Sequence, residues 1–163
     1  VASQDGDRTA ALSLQLARAH QELRRRIGGI RSDLGRERPR SGDDTLLTHC
    51  LAFCAALTAH HQGEDGGLFA QLLHERPDLA PTIAKLVEDH ALITDILTRV
   101  GRLADRAAGS PAQALAAIGR ELDGLAAIME SHFAYEERAL GEALDHGLPD
   151  TGWSGAVLRF DPA

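Results

Sequence analysis

Aromatic side chains are scarce in this chain, at 4 % of residues, and runs of β-branched residues are absent. Sheet cores lean on both types, so their shortage argues against a β fold. No apolar run approaches the roughly 18–20 residues that a membrane-spanning helix needs. Nothing at the start reads as a signal segment, and a cytoplasmic location with no membrane partner is expected. Basic charge is short as well. Lys and Arg number 17 against 24 Asp and Glu, for a net charge of -7. No basic patch stands out of that background, which argues against nucleic acid as a partner. The two cysteines, Cys50 and Cys54, lie four apart on one expected helix, where a disulfide would be strained. They read as small buried apolar residues of a reducing compartment, with a redox pair as the weaker alternative.

Ala and Leu dominate, and a chain of 163 residues can bury a core without disulfides. The apolar residues fall into four helical runs. The first, over 9–35, has the seam Leu12, Leu16, His20, Leu23, Ile27, Ile30, Leu34. A polar linker, Gly35 to Gly42, follows. The second, over 43–75, opens on Asp43 or Asp44 as N-cap and reads Leu46, His49, Phe53, Ala56, His60, Glu64, Leu68, Leu72. The third opens on Asp78 as N-cap and reads Leu79, Ile83, Leu86, His90, Ile93, Leu97, Val100, Ala104. The fourth opens on Ser110, Pro111 and Gln113, which suit N-cap, N1 and N3. Its seam reads Leu115, Ile118, Leu122, Leu125, Met129, His132, Glu136, Leu140, Ala143. Steps of three and four keep each set on one face. The expected fold is an all-α, antiparallel up-down-up-down four-helix bundle over 1–146. A non-helical tail, 147–163, is expected to pack on it through Trp153, Val157, Leu158 and Phe160. Gly63, Gly66 and Gly67 interrupt the second helix, and predict a local distortion or close packing there.

A lone His on an apolar seam is usually a hydrogen-bonded core residue. Here all four seams carry one, and two add a Glu one turn later. Depth decides between the readings. His20 and His90 lie about eleven residues from the starts of their helices, and the pairs His60–Glu64 and His132–Glu136 about ten to fifteen from the ends of theirs. At 1.5 Å rise per residue, antiparallel packing puts all six in one layer roughly 15–20 Å from that end. Independent core histidines have no reason to agree in depth. Such a layer is costly unless a cation compensates it. The i, i+4 pairs can grip adjacent metals, and mixed carboxylate and imidazole donors suit iron or manganese.

The single His of the first helix, the His-x-x-x-Glu within HHQGED, the His of EDHALI and the His-x-x-x-Glu within SHFAYEE resemble the hemerythrin-like, HHE cation-binding family. The resemblance covers about residues 12–145. It implies an oxo- or hydroxo-bridged pair of iron ions, with manganese the less favoured metal. His20, His60, His90 and His132 would then be terminal ligands, and Glu64 and Glu136 bridges. One departure stands out. Oxygen-carrying hemerythrins have a fifth His one turn after the third-helix ligand, where this chain has Thr94. Unless another residue substitutes, one iron keeps an open position, which suits reaction more than storage.

Several residues leave alternatives open. His61 could replace His60, add a further ligand, or play an outer role. Glu137 competes with Glu136, which is favoured. Tyr135 could reach a bound oxygen species, though a packed tyrosine is the plainer reading. His49 lies too far from the layer and reads as a core or helix-pair residue. His74 and His146 read as surface residues at helix ends. Asp65, Glu88 and Asp89 are either solvated or orient imidazoles. The resemblance implies a small oxidant as partner: hydrogen peroxide, dioxygen or nitric oxide. The expected activity is catalase-like or peroxide-linked nitric oxide chemistry, in a monomer or weak homodimer. The alternative is an oxygen or iron sensor or carrier without turnover.

Overall fold

The structure is a computed structural model and describes residues 10–36, 43–107 and 111–160. The α-helices among those residues, which include no strand, are α1 (Leu12–Leu34), α2 (Asp43–Gly63), α3 (Phe69–Glu75), α4 (Ala80–Asp105), α5 (Pro111–Asp145) and α6 (Ser154–Leu158). No helix among the described residues is long and apolar enough to cross a membrane.

The helices pack along the apolar seams. Polar pairs at their edges fix direction. Ser13 Oγ donates to Asp145, Arg24 pairs with Glu130, and Arg31 with Asp123, so α5 descends as α1 climbs. Asp145 also accepts the Ser13 backbone N–H, satisfying a donor that the start of α1 leaves free. Between α4 and α5 the pairs His132–Asp89 and Arg99–Glu121 run the same opposed way. The whole predicted seam of α5, from Leu115 to Ala143, is buried.

Two apolar clusters form the core. One holds Leu23, Ile27, Phe53, Leu57, Ile93, Leu122, Leu125 and Met129. The other holds Leu16, Leu68, Phe69, Leu72, Ile83, Leu86 and Leu140. Along every long helix the site residues fall between members of the first cluster and members of the second, so a polar layer lies between two apolar ones. Cys50 and Cys54 are free thiols buried with the first cluster, as a pair of small apolar residues would be.

The glycines of the second helical run do both things expected of them. The run continues from α2 through a π turn, Glu64–Leu68, in which the Phe69 N–H reaches back to the Glu64 carbonyl. The extra residue widens that turn and keeps Glu64, Leu68 and Leu72 buried at steps of four. A Cβ on Gly63 would lie 2.8 Å from that of Ala156, and one on Gly67 2.5 Å from that of Trp153. Only glycine allows these approaches.

Three expectations need correction. The tail is not wholly non-helical: α6 is a single turn, too short to show a period in sequence. Its Trp153 and Val157 are buried in the second cluster, and Phe160 packs against the first. Asp78 does not cap α4. It pairs with Arg76 inside a 3-10 turn, Pro77–Leu79, and the helix starts at Ala80 because Pro81 fits only in a first turn. His49 is exposed rather than in the core, because the α2 seam runs through Cys50 instead. The helix starting at Pro111 agrees with the N1 expectation. The caps placed on Asp43, Asp44 and Ser110 fall outside the side chains described.

Candidate metal centre

Among the described residues, the buried polar and charged side chains are His20, His60, His61, Glu64, His90, His132 and Glu136. The structure thus brings every predicted site residue into one layer. α1 supplies His20, α2 His60 and His61, the π turn Glu64, α4 His90, and α5 His132 and Glu136.

The layer divides into two groups able to hold a cation. In one, donor atoms of His61, Glu64, His90 and His132 all lie within 4.8 Å of one another; in the other, those of His20, His60 and Glu64 do. Glu64 belongs to both. Its Oε1 is 2.9 Å from His60 Nε2, and its Oε2 is 3.3 Å from His90 Nε2. Glu136 spans the groups from the other side, with Oε2 3.5 Å from both His20 Nε2 and His132 Nε2.

Proton placement follows from the outer partners. His20 Nδ1 is 2.9 Å from Glu137, His60 Nδ1 2.8 Å from the Val157 carbonyl, His90 Nδ1 2.7 Å from Asp65 and His132 Nδ1 3.2 Å from Asp89. Each partner only accepts, so each Nδ1 must donate. In the neutral ring, Nε2 is then a lone pair. All four Nε2 atoms turn inward, and those of His90 and His132 face each other at 3.1 Å. The Nε2 atoms of His20, His60 and His61, and all four oxygens of Glu64 and Glu136, are buried with no hydrogen-bond partner. Unpartnered lone pairs converging on a dry point fit a cation.

The charge balance agrees. Burial alone pushes Glu64 upward, but His60, His20 and His90 outweigh it and hold the carboxyl well below the usual range. Burial and the Glu64 charge push Glu136 well above it. Burial and His90 press His132 down to about 4 and drive His61 well below the ordinary imidazole value. Burial opposes charge on His90 as well, yet Asp65 and Glu64 raise it to about 9. Each proton taken by one member raises the cost at the next. A cation attracts them all.

Several open readings now have positions. His61 is inside the layer, its ring stacked on His90 at 3.8 Å. Glu137 lies outside it as the partner of His20, and Arg24 holds it there. Asp65 and Asp89 orient imidazoles, whereas Glu88 is solvated. Tyr135 packs with the second apolar cluster under the Arg138 guanidinium. His74 and His146 are exposed. Thr94, one turn after His90, is also exposed. Two contributors were not foreseen. Phe133 stacks on His20 at 3.9 Å, and its place beside His132 was the available signal. The Val157 carbonyl is backbone and had none.

Among the described residues, helices without strands and a single buried cluster of His and Glu fit the class of helical cation-binding proteins. The family model described as the hemerythrin HHE cation binding domain matches residues 13–144. The chain belongs to that family. No curated protein and no solved structure matches it.

Proposed function

We propose that the protein is a non-haem di-iron protein reacting with a small oxidant: hydrogen peroxide, dioxygen or nitric oxide. On this reading Glu64 and Glu136 would be shared by two irons, with His20 and His60 holding one and His61, His90 and His132 the other. The long helices then form one up-down-up-down four-helix bundle, with the α2–α3 run as a single member. The observation that carries the reading is the convergence of inward Nε2 lone pairs and unpartnered carboxylate oxygens at one buried level. Imidazole and carboxylate donors suit iron, with manganese second.

Catalase-like peroxide decomposition, or peroxide-linked nitric oxide chemistry, is the activity proposed. Two bridged irons, when bound, supply paired one-electron changes, and converting two peroxides to dioxygen and two waters needs no outside donor. The chain's own residues do the rest. Glu137, Asp65, Asp89 and the Val157 carbonyl hold the imidazoles in place. The apolar clusters on either side exclude water. His20 and His60 would offer only two imidazoles to a cation, which would leave that position the more open to a small ligand.

One observation favours a second reading, an oxygen carrier or sensor without turnover. His61 brings the imidazoles of the layer to five, the number in oxygen-carrying hemerythrins. Metal analysis with an absorption spectrum, then peroxide addition with oxygen release recorded, tests both. Expected are about two irons per chain, near-ultraviolet absorption of a bridged pair, and oxygen release over many turnovers. Reversible, stoichiometric oxygen binding without peroxide turnover above free iron selects the second reading. One metal or none after iron supplementation sinks the di-iron assignment.

A further inference from the structure

The oriented imidazoles are not held alike. His20, His90 and His132 give their Nδ1 protons to carboxylates on α5, the π turn and α4. His60 gives its proton to a backbone carbonyl, that of Val157 in α6. The same C-terminal segment presses on the helical run that carries Glu64. Ala156 and Val157 meet Gly63, Trp153 meets Gly67, and the Phe160 ring centre lies 6.0 Å from that of His60. One short segment therefore touches a ligand candidate directly and brackets the turn bearing the shared carboxylate.

Resting on the di-metal reading above, we propose that Trp153–Phe160 is a positioning element for one of the two cations. Docked, it keeps the His20/His60 position at full affinity. Displaced, it leaves that position weak while the His61/His90/His132 position stays loaded. The asymmetry follows from the donors. The second position has three imidazoles, and His90 and His132 are oriented by carboxylates from the long helical runs. The first has two, and one of them relies on the tail. Without the Val157 carbonyl, the His60 Nδ1–H loses its partner, and the ring loses what fixes its tautomer and rotation. Losing such an outer partner typically weakens metal binding about 10–100-fold.

Trp153 is the sole tryptophan, so its emission reports docking without a label. Gly67→Ala would put a Cβ 2.5 Å from the Trp153 Cβ and force the segment to shift; Gly66→Ala, in the same π turn, meets nothing within 4 Å and controls for helix propensity. Zinc titrated into the metal-free full chain, in competition with a chromophoric chelator, reads the two affinities separately. Wild type and Gly66→Ala are expected to bind two zinc ions alike. Gly67→Ala should bind the first as tightly, bind the second at least about tenfold more weakly, and show red-shifted Trp153 emission. If Gly67→Ala does not fold, Trp153→Ala, which removes the anchor, should give the same split. Stepwise affinities unchanged in these variants, or weakened equally at both positions, overturn the role of the tail and leave the metal centre standing. Failure of wild type to take up zinc sinks the metal reading and this proposal with it.

Discussion

Leu122 and Glu136 face the same core from the same helix, and both are fully buried. Their stability has opposite terms. Around Leu122, carbon meets carbon, and burial contributes about 1.5–3 kcal/mol whatever else is present. Around Glu136, two carboxylates and five imidazoles share a layer in which seven buried nitrogen and oxygen atoms lack a hydrogen-bond partner. The apolar layers are self-sufficient; on the metal reading proposed above, the polar layer between them is conditional on a cation. The fold places the conditional layer where two unconditional ones can hold it open.

Removing the cation should break this comparison most visibly. A metal that binds only the folded chain adds about 4 kcal/mol at a thousandfold excess over its Kd. For a domain this size that is roughly 8–16 °C in melting temperature. The metal-free form should therefore melt well below the loaded one, read by circular dichroism at fixed protein concentration. Equal melting temperatures would mean that the layer satisfies itself.

The apolar side predicts the contrary pattern. Leu122→Ala should cost about 2–5 kcal/mol through lost burial and a cavity. The loss should be the same, to within about 0.5 kcal/mol, with and without metal, since about 15 Å of helix rise separates Leu122 from His132. A penalty present only in the loaded form would mean that the two layers are one cooperative unit with the metal.

How far the sequence carries this picture depends on the kind of atom involved. Depth was legible because helix rise is linear, so counting residues from helix ends aligned His20, His60, His90 and His132. The α5 seam was legible to its last member. The α2 seam was not. Stepping back four from Phe53 selects His49, stepping back three selects Cys50, and packing chose the cysteine. Asp65 could not be assigned because the π turn alters the angle at which its carboxylate leaves the helix. The Val157 carbonyl was beyond reach, since every residue has one.

Asp65 gives a smaller effect confined to the polar layer. It is 38 % exposed, and its carboxylate accepts from His90 at 2.7 Å. Asp65→Asn keeps the shape but removes the charge that raises the basicity of the ring. Affinity at the three-imidazole position should fall about 10–100-fold, with a smaller drop in the metal-free melting temperature from the lost His90–Asp65 ion pair. A drop in metal-free stability as large as the drop in affinity would make Asp65 a structural residue instead.

The smallest expected effect is the sharpest test of where the layer ends. Thr94 lies one turn after His90, yet it is exposed, while Ile93 beside it is fully buried and closes the seam. A histidine placed there by Thr94→His would leave its ring in solvent, and the stability change should stay within about 0.5 kcal/mol. Metal loading, absorption spectrum and peroxide turnover should all match wild type. His61→Ala is the informative partner, because its ring lies inside the layer against His90. That substitution removes one of three imidazoles from its group and should weaken metal binding there and alter the spectrum, whereas Thr94→His alters neither. If instead Thr94→His changes the spectrum and His61→Ala does not, the fifth imidazole position belongs to α4, and α4 must turn about its axis from the orientation in which Ile93 fills the seam.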